Sequence, residues 1–274
     1  MNRMQTHPTN YPTDLTDAEW DQIKSLVPKP KSGPGKPGRP VESDRRSLVN
    51  AIFYVVRSGG AWRLLPADFP PWQTVYGYYR EWSQDWTWRF IHDSLRDLVR
   101  KTEGRSVAPT AAIIDSQSVQ TAEQAGERGY DAGKKIRGRK RHLAVDTLGL
   151  VLSIWITGAA VQDRDGAKTL IQALVGLFGR LQIIWADGGY LGRLVGWVKR
   201  LRPFGKLHLE IVRRNDKFKG FKVLPKRWVI ERTFGWLCKS RRLCRDYEVR
   251  FDHSEAMVRI CMIRLMVRRL AKAI

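Results

Sequence analysis

The chain has 274 residues, which is enough for about two domains, each with its own core. Its 49 lysines and arginines against 27 aspartates and glutamates give a formal charge of +22, and this excess favours a polyanionic partner. Four arginines interrupt the most apolar late segment, residues 256–270, which argues against a membrane span. The polar first 13 residues do not resemble a secretion signal, and three cysteines make no disulfide framework. We therefore expect a cytoplasmic protein with no membrane partner.

The first 105 residues predict an all-helical domain. Apolar residues recur at helical spacing in four segments, and two glycines after Ser58 end the second of them. A linker rich in proline, glycine and basic residues spans 28–43. Short arginine-rich helices joined by tight turns are typical of a helix-turn-helix domain, so we predict that residues 1–105 bind DNA. An ordinary helical bundle packed through its aromatic residues is the alternative. The predicted helices cover residues 14–27, 43–58, 72–82 and 86–100.

From about residue 106 the sequence changes to the short apolar runs that are typical of β-strands. The predicted order of elements is β, β, β, α, β, α, β, α, which indicates an α/β domain over residues 106–274. We expect a mixed five-stranded sheet flanked by helices, with the polar, basic residues 122–141 forming a loop between the first two strands. The predicted strands cover residues 110–119, 142–145, 150–157, 181–186 and 208–212, and the predicted helices cover residues 163–178, 190–201 and 226–242.

Three acidic residues of the α/β domain are candidates for a metal site. Asp115 lies inside the apolar first strand, where an unpaired carboxylate is costly unless a cation or strong donors compensate it. Asp187 follows the fourth strand and precedes two glycines, at the kind of strand end where α/β sheets bind ligands. Glu231 lies on the last predicted helix, about 100° from its apolar stripe, at the margin that meets the sheet.

Each acid also has an ordinary structural interpretation. Asp115 is compatible with a buried, hydrogen-bonded aspartate, and Asp187 with a turn residue. Glu231 is compatible with an ion pair to Arg227 or Arg232. The metal-site hypothesis depends on joint placement, because one fold carries the three acids on its first strand, its fourth strand and its last helix. Carboxylates on separate elements can share two Mg²⁺ ions, which activate the attacking oxygen and stabilise the leaving oxygen in phosphoryl transfer.

Several segments together carry a family resemblance. The segments LTDAEW, IIDSQSV, GKKIRGRKRHLAVDTLG, ADGGY and RWVIERTFGWL resemble those of bacterial transposases of the insertion sequence 5 group, over about Leu15 to Met266. The resemblance implies a ribonuclease-H-like catalytic domain of the DDE type, with Asp115, Asp187 and Glu231 as catalytic triad and metal ligands. It also implies DNA cleavage at the ends of a mobile element, followed by joining of the 3′-hydroxyl ends to target DNA.

The same resemblance sets expectations for cofactors and partners. It implies two Mg²⁺ ions, with Mn²⁺ as an alternative, and double-stranded DNA in the form of terminal inverted repeats and target DNA. It further implies a homodimer on paired DNA ends, associated with the bacterial nucleoid. The related families often show the pattern Tyr-x₂-Arg-x₃-Glu-x₆-Lys. Arg227 and Glu231 fit this pattern, whereas Leu224 and Cys238 occupy its tyrosine and lysine positions, with Lys239 one residue later.

Two basic segments flank the predicted active site, and we predict that they hold DNA phosphates. A solvated charged loop is the alternative interpretation. Because phosphate contacts carry no base information, recognition of particular ends is expected from the N-terminal helices. A non-catalytic DNA-binding regulator and a ribonuclease-H-type nuclease remain as alternatives to a Mg²⁺-dependent transposase. The predicted DNA-binding residues are Lys134, Lys135, Arg137, Arg139, Lys140, Arg141, Arg213, Arg214, Arg227 and Lys239.

Overall fold

The computed structural model describes residues 11–29, 44–123, 125–201, 206–212 and 226–273, which form two compact units. The helical unit contains the described residues up to Arg105, together with Ser240–Leu243 and the chain from Ala256 onward. The sheet unit contains the described residues of Ser106–Lys239 and Cys244–Glu255. Residues 256–273, which we assigned to the predicted domain 106–274, thus pack with the helical residues. The domain boundaries as units of independent folding stay a prediction.

The described residues contain the following elements. The helices are α1 (Asp17–Ile23), α2 (Arg45–Ser58), α3 (Trp72–Gln84), α4 (Thr87–Thr102), α5 (Asp163–Leu177), α6 (Arg193–Leu201), α7 (Arg227–Cys238), α8 (Arg241–Cys244) and α9 (Phe251–Lys272). The strands are β1 (Ala111–Gln120), β2 (Gly129–Asp131), β3 (Ile136–Val145), β4 (Val151–Gly158), β5 (Ile183–Ala186) and β6 (His208–Ile211). None of the helices in these ranges is long and apolar enough to cross a membrane.

Side-chain caps and a terminal glycine set the ends of the first helices of the helical unit. Thr16 and Glu19 form a reciprocal capping box that starts α1, which makes this helix shorter than the predicted 14–27. Asp44 caps α2, and Gly59, at a φ of 78°, ends it as predicted. The apolar stripes of these helices are fully buried and form the core of the unit, with Leu48 and Ile52 on α2 and Val75, Tyr79 and Trp82 on α3.

The sheet unit has the strand order of a ribonuclease-H-like fold. In the described sheet the strands lie in the order β3, β1, β5, β6. The other edge of β3 pairs with two strands: the three-residue β2 pairs with the start of β3, and β4 pairs with the rest of it. β3 is antiparallel to β1, and β5 and β6 continue parallel to β1. The predicted α/β architecture is confirmed, and the short β2 is the one strand that the sequence did not predict within the described residues. A core centred on Ile114, Leu170 and Ile184 holds the sheet against α5 and α6.

Three local predictions in the sheet unit were wrong. β3 begins at Ile136, so the basic residues 136–141 belong to a strand and not to a loop. The sequence favours Asp163 or Asp165 as the cap of the helix predicted over 163–178, but Gln162 occupies the position before α5, with no side-chain cap bond. The predicted helix 190–201 begins only at Arg193, because Gly192 adopts a φ of 111° after a short 3₁₀ turn.

Candidate active site

Asp115 is held at the middle of the sheet. The backbone amide of Ser116 donates a hydrogen bond of 2.7 Å to Asp115 Oδ1. Burial raises the pKa of Asp115 to about 6; the charge of Asp187 also raises it, whereas the amide of Ser116 and the charges of Arg227 and Lys134 act in the opposite direction. The shift means that the protein lacks enough nearby positive charge to offset the cost of burying this carboxylate.

Asp187 lies beside Asp115 because of the strand register. β1 and β5 are parallel neighbours, and Ile113 pairs with Trp185. Asp115 and Asp187 each lie two residues beyond that pair, and neighbouring strands are about 4.8 Å apart. Asp187 starts the 3₁₀ turn after β5, where its Oδ1 accepts a hydrogen bond of 2.8 Å from the amide of Gly189.

Glu231 joins this pair through a shared arginine. Arg227 lies one turn before Glu231 on α7, and its Nη2 is 3.5 Å from Glu231 Oε1 and 3.7 Å from Asp187 Oδ2. Since Glu231 Oε1 and Asp187 Oδ2 lie near the same nitrogen atom, the distance between them is at most the sum of these two distances. The structure therefore brings Asp115, Asp187 and Glu231 to one region, with a guanidinium group between two of them. Within the described ranges, however, no three His, Cys, Asp or Glu side chains are close enough to form a metal site as they stand.

Two residues near the acids were not assigned to the site by the sequence. Tyr190 is only 2% exposed, and burial raises its pKa well above the ordinary value, helped by the charges of Asp115 and Asp163. Tyr190 thus packs under the site, although its motif, ADGGY, suggested only the start of a helix. Asp163 forms an ion pair of 2.9 Å with Lys140 on the sheet. The only available sequence signal for either residue was its position shortly before or after a strand end.

The predicted DNA-binding residues on the first basic segment divide into two groups. Lys134, Lys135 and Arg137 are exposed, as a phosphate contact requires. Arg139, Lys140 and Arg141 are 0%, 5% and 1% exposed, so their assignment as phosphate clamps was wrong. They are buried because they lie in the part of β3 that is paired with β1 on one side and β4 on the other, where both faces of the strand are covered. Lys140 donates to the carbonyl of Val161 and pairs with Asp131, and Arg141 lies beside Gln117.

The other predicted DNA-binding residues have varied outcomes. Arg227 is partly buried between carboxylates, and Lys239 is exposed just after α7. Arg213 and Arg214 lie outside the described residues, as does Leu224.

The strand order β4-β3-β1-β5-β6 is that of a ribonuclease-H-like fold. The family model described as "Transposase DDE domain" matches residues 108–266. This match covers more than half of the chain, which therefore belongs to the DDE transposase family. A second model, "Putative transposase of IS4/5 family", matches residues 15–92 and places the chain in the insertion sequence 4 and 5 group. Members of the DDE family generally use divalent metal ions.

Curated relatives support this assignment over part of their length. The chain is 32% identical over 135 residues to "Putative transposase for insertion sequence element IS402" of Burkholderia cepacia, covering 46% of this chain and 62% of the relative. It is 31% identical over 125 residues to "Insertion element IS402 uncharacterized 16.2 kDa protein" of the same organism, covering 44% and 78%. It is also 32% identical over 71 residues to "Uncharacterized protein y4sN" of Sinorhizobium fredii, covering 25% and 51%. The chain thus spans less than two thirds of the first of these relatives.

Proposed function

We propose that the protein is a DNA transposase that binds the ends of a mobile element, cleaves the DNA and joins the 3′-hydroxyl ends to target DNA. Asp115, Asp187 and Glu231 would be its catalytic carboxylates. One observation carries the proposal. Asp115 and Asp187 lie two residues beyond the same β1–β5 pair, while Arg227 contacts both Asp187 and Glu231.

The chemistry of this region fits a divalent cation. Mg²⁺ prefers oxygen ligands from one or two carboxylates together with substrate phosphate. A buried carboxylate with a raised pKa beside a second carboxylate is stabilised by added positive charge, and Arg227 already places a cationic group among these acids. We therefore assign two Mg²⁺ ions, with Mn²⁺ as an alternative, to Asp115, Asp187 and Glu231. When bound, such ions activate an attacking oxygen and stabilise a leaving oxygen.

The chain's own groups orient these carboxylates. The amide of Ser116 holds one oxygen of Asp115, and the amide of Gly189 holds one oxygen of Asp187. These bonds fix each carboxylate and leave its second oxygen for a cation. Arg227 holds Glu231 near the sheet, although the Glu231 side chain is 55% exposed. The exposed Lys134, Lys135, Arg137 and Lys239 would contact DNA phosphates, which position the strand without reading its sequence.

Strand transfer by the purified full-length protein tests the proposal. The substrate is duplex DNA taken from the regions that flank the gene, with the ends of the element, and a plasmid serves as target. We expect joined product in Mg²⁺ or Mn²⁺ and none in a chelator. Asp115→Asn, Asp187→Asn and Glu231→Gln should each abolish the product while leaving DNA binding intact. Asp165→Asn is the matched control, because Asp165 is exposed on α5 and pairs only with Lys168 among the contacts described.

Each other outcome selects a different function. Normal joining by the three variants would refute the assignment of the carboxylates. Metal-dependent cutting that leaves free ends and no joined product would indicate a nuclease. Specific binding without any cutting would indicate a DNA-binding regulator. We also propose that two copies act on paired ends, and the mass of the protein–DNA complex in solution measures this directly.

A further inference from the structure

One face of α3 is exposed and polar along its whole length. Gln73, Gly77, Arg80 and Gln84 follow one another at spacings of four, three and four residues, so they form one stripe of the helix. The three side chains on this stripe are exposed, while the opposite stripe of Val75, Tyr79 and Trp82 is buried. Among the described residues, no hydrogen bond or ion pair engages the side chains of Gln73, Arg80 or Gln84.

Neither side-chain packing nor backbone geometry explains the glycine at position 77 within this stripe. A Cβ at this position would meet nothing within 4 Å, and the residue does not have a positive φ. A glycine in an exposed helix interior lowers helix stability relative to alanine, so packing and backbone geometry do not explain it. An open concavity of about 650 Å³ surrounds it, lined by residues of α3, which include Arg80, Gln84 and Glu81, and by Asp85. A bare backbone at the centre of a polar stripe is suited to close approach by another molecule.

The side chains on the stripe match duplex DNA. In the major groove, which admits an α-helix, arginine pairs with guanine and glutamine pairs with adenine through two hydrogen bonds each. At the start of the helix, Arg63 is exposed and lies over the ring of Trp72 at 5.5 Å, where it can contact a phosphate. In standard helix-turn-helix proteins the residues near the start of the recognition helix contact the bases, which is where Gln73 lies; in the homeodomain variant the contacting residues lie along one stripe of that helix, as Gln73, Arg80 and Gln84 do in α3.

The neighbouring helix α4 is much less suited to DNA. Its outer face carries the exposed apolar side chains Phe90 and Leu98 and the partly buried carboxylates Asp93 and Asp97, and the exposed Trp86 lies just before its first residue. Arg96 pairs with both carboxylates and is itself buried, so it is committed to the protein. Carboxylates lie beside both surfaces, since Glu81 and Asp85 flank the stripe of α3, so the difference between the helices is the exposed apolar surface of α4 and the exposed Arg80 of α3, which no described contact engages. The comparison favours α3 over α4 as the element that enters the groove.

We infer that α3 is the recognition helix, in which Arg80, Gln73 and Gln84 read base edges and Gly77 permits the close approach of a base pair. This inference depends on the proposed function for its partner, because it takes the ends of the element as the DNA that is read. It assigns sequence preference to one helix face, separately from the phosphate contacts of the sheet unit.

Selection of binding sites from a random duplex library by the full-length protein tests the inference. The wild type should enrich a motif, and the readout is the ratio of its affinities for that motif and for a scrambled duplex. Arg80→Ala should lower this ratio by roughly 5- to 150-fold, the usual effect of losing one bidentate contact. Arg80→Lys should lower it nearly as far while leaving the affinity for scrambled DNA unchanged, because lysine keeps the charge but lacks the fork of donors.

Two further variants separate base reading from charge and from folding. Arg105→Ala is the control, since Arg105 is an exposed arginine of the same unit outside α3, and it should leave the ratio unchanged. Gly77→Ala should raise the unfolding temperature, because alanine favours the helix and has open space, yet it should weaken binding to the motif. Such a variant cannot lose binding through misfolding.

The inference fails if the wild type enriches no motif, or if Arg80→Lys and Gly77→Ala both retain the wild-type motif and ratio. Failure here is distinguishable from failure of the proposed catalysis. If the wild type joins DNA ends while the α3 variants keep their preference, the transposase proposal stands and α3 is not the reader. If the α3 variants lose their preference while the wild type never cuts DNA, α3 is the reader and the transposase proposal fails.

Discussion

Arg139 provides the sharpest test of how the basic residues divide between folding and DNA binding. Its guanidinium is fully buried and donates hydrogen bonds to Asp246, to the hydroxyl of Ser254 and to three backbone carbonyls. It also lies 4.7 Å from the ring centre of Phe251. These contacts attach residues 246–254 to the sheet. We therefore expect Arg139→Met to lower the stability of the protein and to leave its DNA contacts unchanged.

The expected loss of stability comes from the buried carboxylate that Arg139→Met leaves without its partner. Asp246 is 2% exposed and would lose its 3.2 Å ion pair with Arg139, so a charged group would stay buried without its cation. Removing one partner of a buried ion pair typically costs about 3–5 kcal/mol. Total stabilities are on the order of 5–15 kcal/mol, so the variant should still fold but should unfold at a much lower urea concentration. Circular dichroism of the full-length protein measures this midpoint.

Arg137 is the matched control, because it lies two residues earlier on the same strand and is exposed. Arg137→Met should change stability by less than about 0.5 kcal/mol. It should instead weaken binding to all DNA sequences and reduce the salt dependence by about one phosphate contact. The reasoning would be refuted if Arg139→Met unfolded like the wild type and lost DNA affinity in the manner expected of Arg137→Met.

Three further predictions concern the sheet unit. Folding raises the pKa of Asp115 to about 6, so the ionised carboxylate destabilises the folded protein at pH 7. Asp115→Asn should therefore raise the free energy of unfolding in a chelator by about 1–2 kcal/mol, and it should abolish strand transfer. A variant less stable than the wild type would contradict this prediction. Gly166→Ala should cost about 1–3 kcal/mol in urea unfolding, since its Cβ would overlap the ring of His142, whereas Gly176→Ala on the same helix has open space and should be neutral or stabilising. Burial lowers the pKa of His142 to about 4, so the unfolded chain takes up the proton first, and stability should fall by up to about 3 kcal/mol as pH decreases from about 6.5 to 4. His142→Leu should flatten that decrease, and an unchanged pH profile would show that His142 is not its source.

The sequence predicts those parts of the fold that depend on local periodicity. The stripes of α2 and α3 repeat every three to four residues, and the buried runs at β1 and β5 are apolar, so each element could be recognised within its own segment. β3 could not, because its first half reads IRGRKR and looks like a solvated loop. The partner that allows Arg139 to be buried, Asp246, lies 107 residues away in the sequence. A local pattern contains no information about such a contact.

The candidate site shows the same division. Asp187 could be placed from the rule that α/β sheets bind ligands at strand ends, whereas Asp115 lies inside β1 and its position beside Asp187 follows from the register of β1 and β5. The sequence predicts Arg227 as a phosphate contact and as one of two ion-pair partners of Glu231, and the structure adds its contact with Asp187. Tyr190 could not be predicted at all, since its burial depends on how the turn after β5 folds back over β1.

Part of the large positive charge of the chain lies on buried residues. Seven lysines and arginines of the described residues are buried, namely Arg46, Arg96, Arg100, Arg139, Lys140, Arg141 and Arg242. Several of them pair with carboxylates of the protein, such as Asp17, Asp93 and Asp246, so these pairs add little net charge to the field that attracts DNA. Only exposed cations release counterions from a phosphate backbone when the protein binds. The salt dependence of DNA binding should accordingly reflect the exposed cations, such as those of the β2–β3 turn, Lys239 after α7 and Arg80 on α3, more closely than the formal charge of +22.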